Sequence, residues 1–327
     1  RMAETNMEQT AGYGEDPYCD QARKLIAGLC GRTDLDIHFL IGGTQTNFTV
    51  IAAALRPHQC VLCADTGHIN VHESGAVEAC GHKVSAIPSP DGKLTARQIE
   101  EAWHAQWDDE TREHMPQPRM VYISQPTELG TIYSRKELQE ISGVCRRRGL
   151  YLYMDGARLG YGLCDEDNDL DLPAIASLCD AFYIGGTKVG ALFGEALVLR
   201  HEALKEDFRY IAKQKGGRLA KGRLLGIQFL ELFRDGLYFR LGAHAARLAV
   251  MLRDFCRSRG LSLPFSSGTN QQFVTMPDSV LEELGRKYGF AYLRREDETH
   301  STVRFCMSWA TREEDVRELM ADIARLC

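Results

Sequence analysis

The 327-residue chain is informative first for what it lacks. It has no block of like charge: 39 Lys and Arg are interspersed with 45 Asp and Glu, for a net charge of −6. Without a cationic stripe to grip phosphate backbones, nucleic-acid and anionic-membrane partners are excluded. It has no long apolar run either, since the stretch around Phe48 to Leu55 is only about eight residues where a membrane span needs ~20. No transmembrane helix or secretory leader is visible. Internal repeats, low-complexity tracts and disordered linkers are also missing, which excludes solenoids and arrays. Neither a Walker loop nor a G-x-G-x-x-G fingerprint occurs, and nucleotide readings lose ground. There is no disulfide framework: eleven cysteines, an odd count, are scattered from Cys19 to Cys327 on a chain large enough to bury a core without staples. That usage fits a reducing, cytoplasmic setting. An initiator methionine is missing too, and Arg1-Met2-Ala3-Glu4 reads as mid-helix, so we expect an N-terminal piece, part of an arm spanning residues 1–17, to lie beyond Arg1.

What is present is alternation. Asp16-Pro17 supplies an N-cap and a first-turn proline, and Ala22, Leu25, Ile26 and Leu29 give a helical stripe that stops near Gly31. Residues 36–41 form an apolar strand ended by Gly42-Gly43, and a helix over 46–55 is closed by Pro57. Further strands are predicted near 60–64, 82–87, 120–124, 150–154 and 181–184, with helices at 95–104 and 134–148 between several of them. Strands alternating with helices argue for an α/β fold with a mostly parallel central sheet and helices on both faces. Such a sheet binds ligands at the carboxyl ends of its strands. Cys60 and Cys63 have C-x-x-C spacing but lie inside an apolar run with no second pair, so they read as a buried strand rather than a zinc or redox site. Beyond about residue 220 the pattern shifts to long helices, 224–233 and 238–258, then strands near 272–275, 290–293 and 302–306 and a last helix over 312–326. We divide the chain into a large domain, 1–234, and a small C-terminal α+β domain, 235–327.

Four segments after predicted strands carry chemistry. Gly42-Gly43-Thr44-Gln45-Thr46-Asn47 opens a helix, where free amides and the helix dipole suit an anion such as phosphate. Asp155 ends an apolar strand, where a charge must face a cleft or a cationic partner; its bland alternative is a turn cap. Lys188 follows Tyr183-Ile184-Gly185-Gly186-Thr187 at another strand end, where partial desolvation lowers its pKa and makes it a Schiff-base candidate; the alternative is a solvated lysine. The aspartate and the lysine, downstream of a phosphate-type loop, match what pyridoxal phosphate needs: an amine for the aldehyde, a carboxylate for the ring nitrogen and a helix N-terminus for the phosphate. The fourth segment, Ala64 to Glu73, holds His68 and His72 at i and i+4, compatible with metal ligation except that no third ligand is evident. We take one histidine as an aromatic plate over the cofactor and the other as a polar group near substrate.

On these residues the chain resembles the threonine aldolase and β-eliminating lyase family of fold-type I pyridoxal-phosphate enzymes. The resemblance runs from Tyr13-Gly14-Glu15-Asp16-Pro17 through Gly43-Thr44, Ala64-Asp65 with His68, Asp155-Gly156-Ala157-Arg158 and Lys188 to Thr269-Asn270 and Arg304. It implies that Gly43, Thr44 and Gln45 hold the cofactor's phosphate, that Arg158 and Thr187 also contact the cofactor, that His68 stacks on its ring, that Asp155 pairs with the ring nitrogen and that Lys188 carries it. It further implies that Arg158 and Arg304 grip the substrate carboxylate, as bidentate guanidinium groups do, with His72 nearby. The basic stretch Lys215-Gly216-Gly217-Arg218, with Lys221 and Arg223, is similar to the segment that reaches a neighbouring subunit's phosphate, so a homodimer or homotetramer with shared sites is implied. The implied reaction is retro-aldol cleavage of a small β-hydroxy-α-amino acid of the threonine or allo-threonine type to glycine and an aldehyde. The alternatives are β-elimination from an aromatic or thiol amino acid and, in a different class, a non-catalytic metal or small-molecule binding protein. One departure bears on substrate: where the family carries a histidine near the substrate hydroxyl, this chain has Gln125-Pro126-Thr127-Glu128, and Glu128 is the candidate base there, beside His72 or a bound water. Thr187 also replaces a serine common before the lysine.

Overall fold

The computed structural model describes residues 1–327. Seven strands, β1 (Asp36–Leu40), β2 (Gln59–Ala64), β3 (Lys83–Ile87), β4 (Gln117–Ser124), β5 (Tyr151–Asp155), β6 (Ala181–Gly185) and β7 (Glu195–Leu199), form one sheet in the order β1-β7-β6-β5-β4-β2-β3. Pairing is parallel from β6 through β5, β4 and β2 to β3, and antiparallel only where β7 meets β6 and β1. The carboxyl ends of β1 to β6 and the first residue of β7 therefore share one end of the sheet.

Strands buried on both faces read as nearly continuous apolar runs, and their alternation divides the core in two. Leu152 and Met154 of β5, with Phe182 and Ile184 of β6, join the larger apolar cluster beneath the helices Pro17–Leu29, Arg135–Arg148 and Arg223–Arg234. Tyr151, Tyr153 and Tyr183 face the other way, with Val50 and Ile51 of the helix Gly43–Ala54. The helix ends obey local chemistry. Asp16 accepts from the N–H groups of Tyr18 and Cys19, Thr95 with Gln98 and Ser134 with Glu137 form capping boxes, and Gly149 stops its helix at φ 65°.

A second, antiparallel sheet has the order β8 (Gln271–Pro277), β10 (His300–Cys306), β9 (Ala291–Arg295). The long helix Leu237–Ser258 lies against both this sheet and the short helix Leu159–Gly162 that follows β5. Helix Glu313–Leu326 packs against that long helix and against helix Asp278–Gly285.

Three sequence expectations change. Arg1 to Glu4 is not helical: residues 2–7 are turns in which only the Thr5 N–H to Arg1 C=O bond has α-helical spacing, beside three-residue turns from Asn6 to Ala3 and Glu8 to Thr5, and one such bond does not offset the cost of nucleating a helix. Strand β7 was not anticipated, since a charged Glu195 directly after Gly194, at φ 114°, resembles a turn more than a strand start. The helix expected over 46–55 begins three residues earlier, at Gly43. Cys60 and Cys63 lie buried in β2 as free thiols. No helix is long and apolar enough to cross a membrane.

Candidate active site

A cleft of about 720 Å³ lies at the carboxyl end of the large sheet. Its wall comprises Gly42 to Thr44 after β1, Ser124 and Glu128 after β4, Asp155 and Arg158 after β5, Thr187 and Lys188 after β6, and Glu195 at the head of β7. His68 and Arg158 also border an outer basin of about 1240 Å³, where His72, Leu129, Phe273, Tyr292 and Arg304 are found. The small sheet thus delivers Arg304 to a site otherwise built by the large one.

Asp155 is 5% exposed, and both carboxylate oxygens are occupied. Oδ1 accepts from Tyr183 OH at 2.5 Å and from the Ala157 N–H at 2.9 Å; Oδ2 accepts from Tyr122 OH at 2.6 Å and from Asn47 Nδ2 at 3.0 Å. Burial by itself raises the pKa, but these four donors outweigh it and hold the carboxyl below the ordinary aspartate range. Asp155 is therefore an anion deep in the protein. Its tyrosines come from the alternation described above, which points Tyr122 and Tyr183 to the same face of the sheet.

Asn47 extends the network. Its Nδ2 also donates to Glu73 Oε1 at 2.7 Å, its Oδ1 accepts from Tyr153 OH at 2.8 Å, and Glu73 Oε1 lies 2.8 Å from His68 Nδ1. The Glu73 side chain is fully buried, and the hydrogen bond to it raises the His68 pKa. His68 is thus fixed at Nδ1 and presents its ring to the cleft. His72 is exposed, its ring centroid 5.6 Å from that of His68, and burial followed by repulsion from His68, Arg304 and Arg158 lowers its pKa. The two histidines share a short helical turn, yet no cluster of three or more His, Cys, Asp or Glu residues able to hold a metal occurs in the chain.

Lys188 is presented by a tight turn. The N–H groups of Gly186 and Thr187 both donate to the Gly194 C=O at 3.0 Å, Thr187 Oγ1 accepts from the Gly194 N–H at 2.9 Å, and Tyr161 OH donates to the Lys188 C=O. The Lys188 amine has no ion-pair partner, and burial followed by the nearby Arg158 guanidinium lowers its pKa. Glu128, half-buried, accepts from Ser124 Oγ at 2.7 Å and from the His68 N–H at 3.0 Å through Oε1, and burial raises its pKa. Both groups are therefore shifted toward neutrality, the range in which acid–base groups work best.

Most of the candidate residues converge, with one exception. Gln45 points away from the cleft: its Oε1 accepts from the Ile41 N–H and its Nε2 donates to the Lys215 C=O, so its side chain ties the loop instead of facing a ligand. The first three N–H groups of the Gly43–Ala54 helix still lack intrahelical partners and form an anion-binding end. Thr269 and Asn270 are buried and hold the loop before β8, Asn270 through a bond to the Met307 C=O. Arg304 donates from Nη1 to Gln271 Oε1 at 3.1 Å, while its buried Nε has no partner. Sequence reasoning missed Asn47, Glu73, Tyr122, Tyr153, Tyr183 and Glu195 as site residues. For the three tyrosines the available signal was a polar tip within an otherwise apolar strand next to its functional end; Asn47 in a helix and Glu73 in a bend carried no such signal.

The residues fit pyridoxal phosphate. An unpartnered, partly desolvated amine, an ionised buried carboxylate, an aromatic ring and an amide-lined helix end face one cleft, and a guanidinium with an unpaired buried donor waits at its rim for an anion.

Comparison with known proteins agrees with this geometry. A family model described as beta-eliminating lyase matches residues 1–279. A low specificity L-threonine aldolase of a Pseudomonas species is 34% identical over 333 residues, covering 98% of this chain and 92% of its own length. The enzyme of the same name from Pseudomonas aeruginosa is 33% identical, with the same coverage. The structure of a Leishmania major threonine aldolase superposes with a TM-score of 0.96 at 45% identity, over 99% of this chain and 94% of that one. A Thermus thermophilus aspartate aminotransferase, at 16% identity and TM-score 0.70, shares the fold alone. On its sequence, fold and the arrangement of its cleft, the chain belongs to the beta-eliminating lyase family.

Proposed function

We propose that this protein is a pyridoxal-phosphate-dependent aldolase that cleaves the Cα–Cβ bond of a small β-hydroxy-α-amino acid, of the threonine or allo-threonine type, to glycine and an aldehyde. The observation that carries the reading is the pairing, in one cleft, of an ionised buried Asp155 with a Lys188 amine whose pKa is depressed. The threonine aldolases to which the chain is similar support the choice of substrate.

In this reading the helix end at Gly43 and Thr44 would hold the phosphate, with Thr187 beside it, His68 would lie against the ring, Asp155 would pair with the ring nitrogen, and Lys188 would carry the cofactor. When bound, the cofactor supplies an electron-withdrawing ring that accommodates the electron pair released at Cα. Arg158 and the unpaired Nε of Arg304 bind and orient the amino-acid carboxylate. Glu128 takes the β-hydroxyl proton, and burial, by raising its pKa, makes it a stronger base for that step. Glu73 acts through His68, holding Nδ1 and so the plane of the ring.

The reading includes a large domain, 1–234, and a small domain, 235–327, which brings Arg304, as well as a cytoplasmic setting and a homodimer or homotetramer. The basic stretch Lys215 to Arg218, with Lys221, supports the assembly as a segment able to reach a neighbour's phosphate, whereas Arg223 is buried and donates to Thr5 Oγ1. A product panel tests the function. Glycine and aldehyde are expected from threonine, with visible absorbance from bound cofactor and a borohydride-trapped adduct at Lys188. Pyruvate and ammonia as the sole products, or an adduct elsewhere, would reject it.

A further inference from the structure

Glu195 is a buried acid that the reaction as described does not use. It opens β7 opposite Leu40 of β1 and Gly185 of β6, is 3% exposed, and lines the cleft beside Lys188. Its Oε2 accepts from the Gly186 N–H at 3.0 Å, a donor shared with the Gly194 C=O, and the Thr187 side chain lies within hydrogen-bond reach of the same carboxyl. The carboxyl thus holds the root of the turn that presents Lys188.

The charges around it are unfavourable for an anion. Asp155 at the end of β5 is already ionised, the Tyr153, Tyr183 and Tyr238 hydroxyls belong to the elements packed around it, and the cations that line the same cleft are Lys188, with its pKa lowered, and Arg158. Two carboxylates in one buried site do not both ionise readily. The hydrogen bonds to Asp155 select it as the ionised one, which leaves the proton on Glu195. We propose that Glu195 is a positioning residue for Lys188 that works as a neutral carboxylic acid, clamping the Gly186 N–H with one oxygen while the proton on the other keeps a second negative charge away from the lysine amine. Burial pushes its pKa up to about 8, so it keeps that proton at neutral pH and loses it in mildly alkaline solution. A carboxylate there would stabilise the protonated lysine and slow its attack on an aldehyde.

The inference rests on Lys188 being the reacting amine, and its test reads Lys188 and Glu195 directly in the apoprotein rather than through products. E195Q keeps the shape, the acceptor and the neutrality. At pH 7 the rate at which Lys188 is modified by an amine-specific reagent, followed by mass spectrometry, should match wild type within about twofold. If Glu195 were ionised at pH 7, removing its charge would lower the lysine pKa by about one unit and accelerate labelling about tenfold, overturning the proposal. E195A drops the acceptor as well, and borohydride-trapped pyridoxal at Lys188 should fall on the order of threefold to tenfold, with E195Q restoring it. Wild-type protein alone gives a further reading: an infrared band of a protonated carboxyl, absent from E195Q, should be present at pH 7 and vanish as the pH passes about 8. A band that is missing at pH 7 refutes the proposal even if every variant fails to fold. Failure of the glycine and aldehyde assay alone would instead reject the assigned reaction and leave these readouts standing.

Discussion

Gly156, next to the cleft aspartate, permits a prediction worked from distances. A Cβ built on Gly156 would lie 1.8 Å from the Tyr183 backbone oxygen and 3.2 Å from Leu159 Cβ. Ordinary contact begins at 3.4 Å, so the ends of β5 and β6 must part by roughly 1.6 Å for alanine to fit. That opening strains two bonds across the gap: the Gly185 N–H to Gly156 C=O, at 2.9 Å, and the Tyr183 OH to Asp155 Oδ1, at 2.5 Å. Overpacking costs about 1–3 kcal/mol, and a weakened backbone hydrogen bond adds ~0.5–1.5 kcal/mol. Replacing glycine where φ is not positive returns about 0.4–1 kcal/mol through the unfolded chain. The net expectation for Gly156→Ala is a loss of about 0.5–4 kcal/mol in urea unfolding of the apoprotein, together with weaker cofactor uptake because Asp155 ends, and Lys188 closely follows, the two strands that separate. Gly28→Ala is the control: it lies in the first helix with nothing within 4 Å of a new Cβ, and it should stabilise by about 0.5–1 kcal/mol. Wild-type stability and wild-type cofactor uptake in Gly156→Ala would refute the reasoning.

Other substitutions address the chemistry. Arg304→Gln removes a guanidinium from the carboxylate grip, a contact worth about 1.5–3 kcal/mol, so KM for threonine should rise on the order of 10- to 100-fold; an unchanged KM removes Arg304 from the site. Glu128→Gln should lower kcat by about 10²- to 10⁴-fold while leaving the spectral change on amino-acid binding in place, and kcat within twofold of wild type would exclude Glu128 as the base. Glu73→Gln tests the linkage to His68. Because the folded His68 pKa lies above its unfolded value of about 6.5, the stability from this pair is fully present below that pH and is lost as the pH rises through the higher folded value. The stability difference between wild type and Glu73→Gln should therefore be larger at pH 6 than at pH 9, and equal differences would count against an ionic His68–Glu73 pair.

Local chemistry along the chain determined most of the architecture. The Asp16-Pro17 cap, the apolar runs at 60–64, 120–124 and 150–154 and the helical stripes between them suffice to identify an alternating α/β chain, because each depends on near neighbours and a short repeat. The same holds for Asp155 and Lys188, whose charges end apolar strands and must face a cleft. Tertiary structure alone decided what surrounds them. Tyr122, Tyr183 and Asn47 come from three elements far apart in sequence, and only strand order and the shared face bring their donors to Asp155. Gln45 turned from cleft to loop because a partner 170 residues away, the Lys215 carbonyl, claims its amide. Glu195 resembles a solvated charge in the sequence. It became a buried acid because β7 inserts antiparallel between β1 and β6, a pairing that depends on long-range hydrogen bonds and that no local pattern encodes.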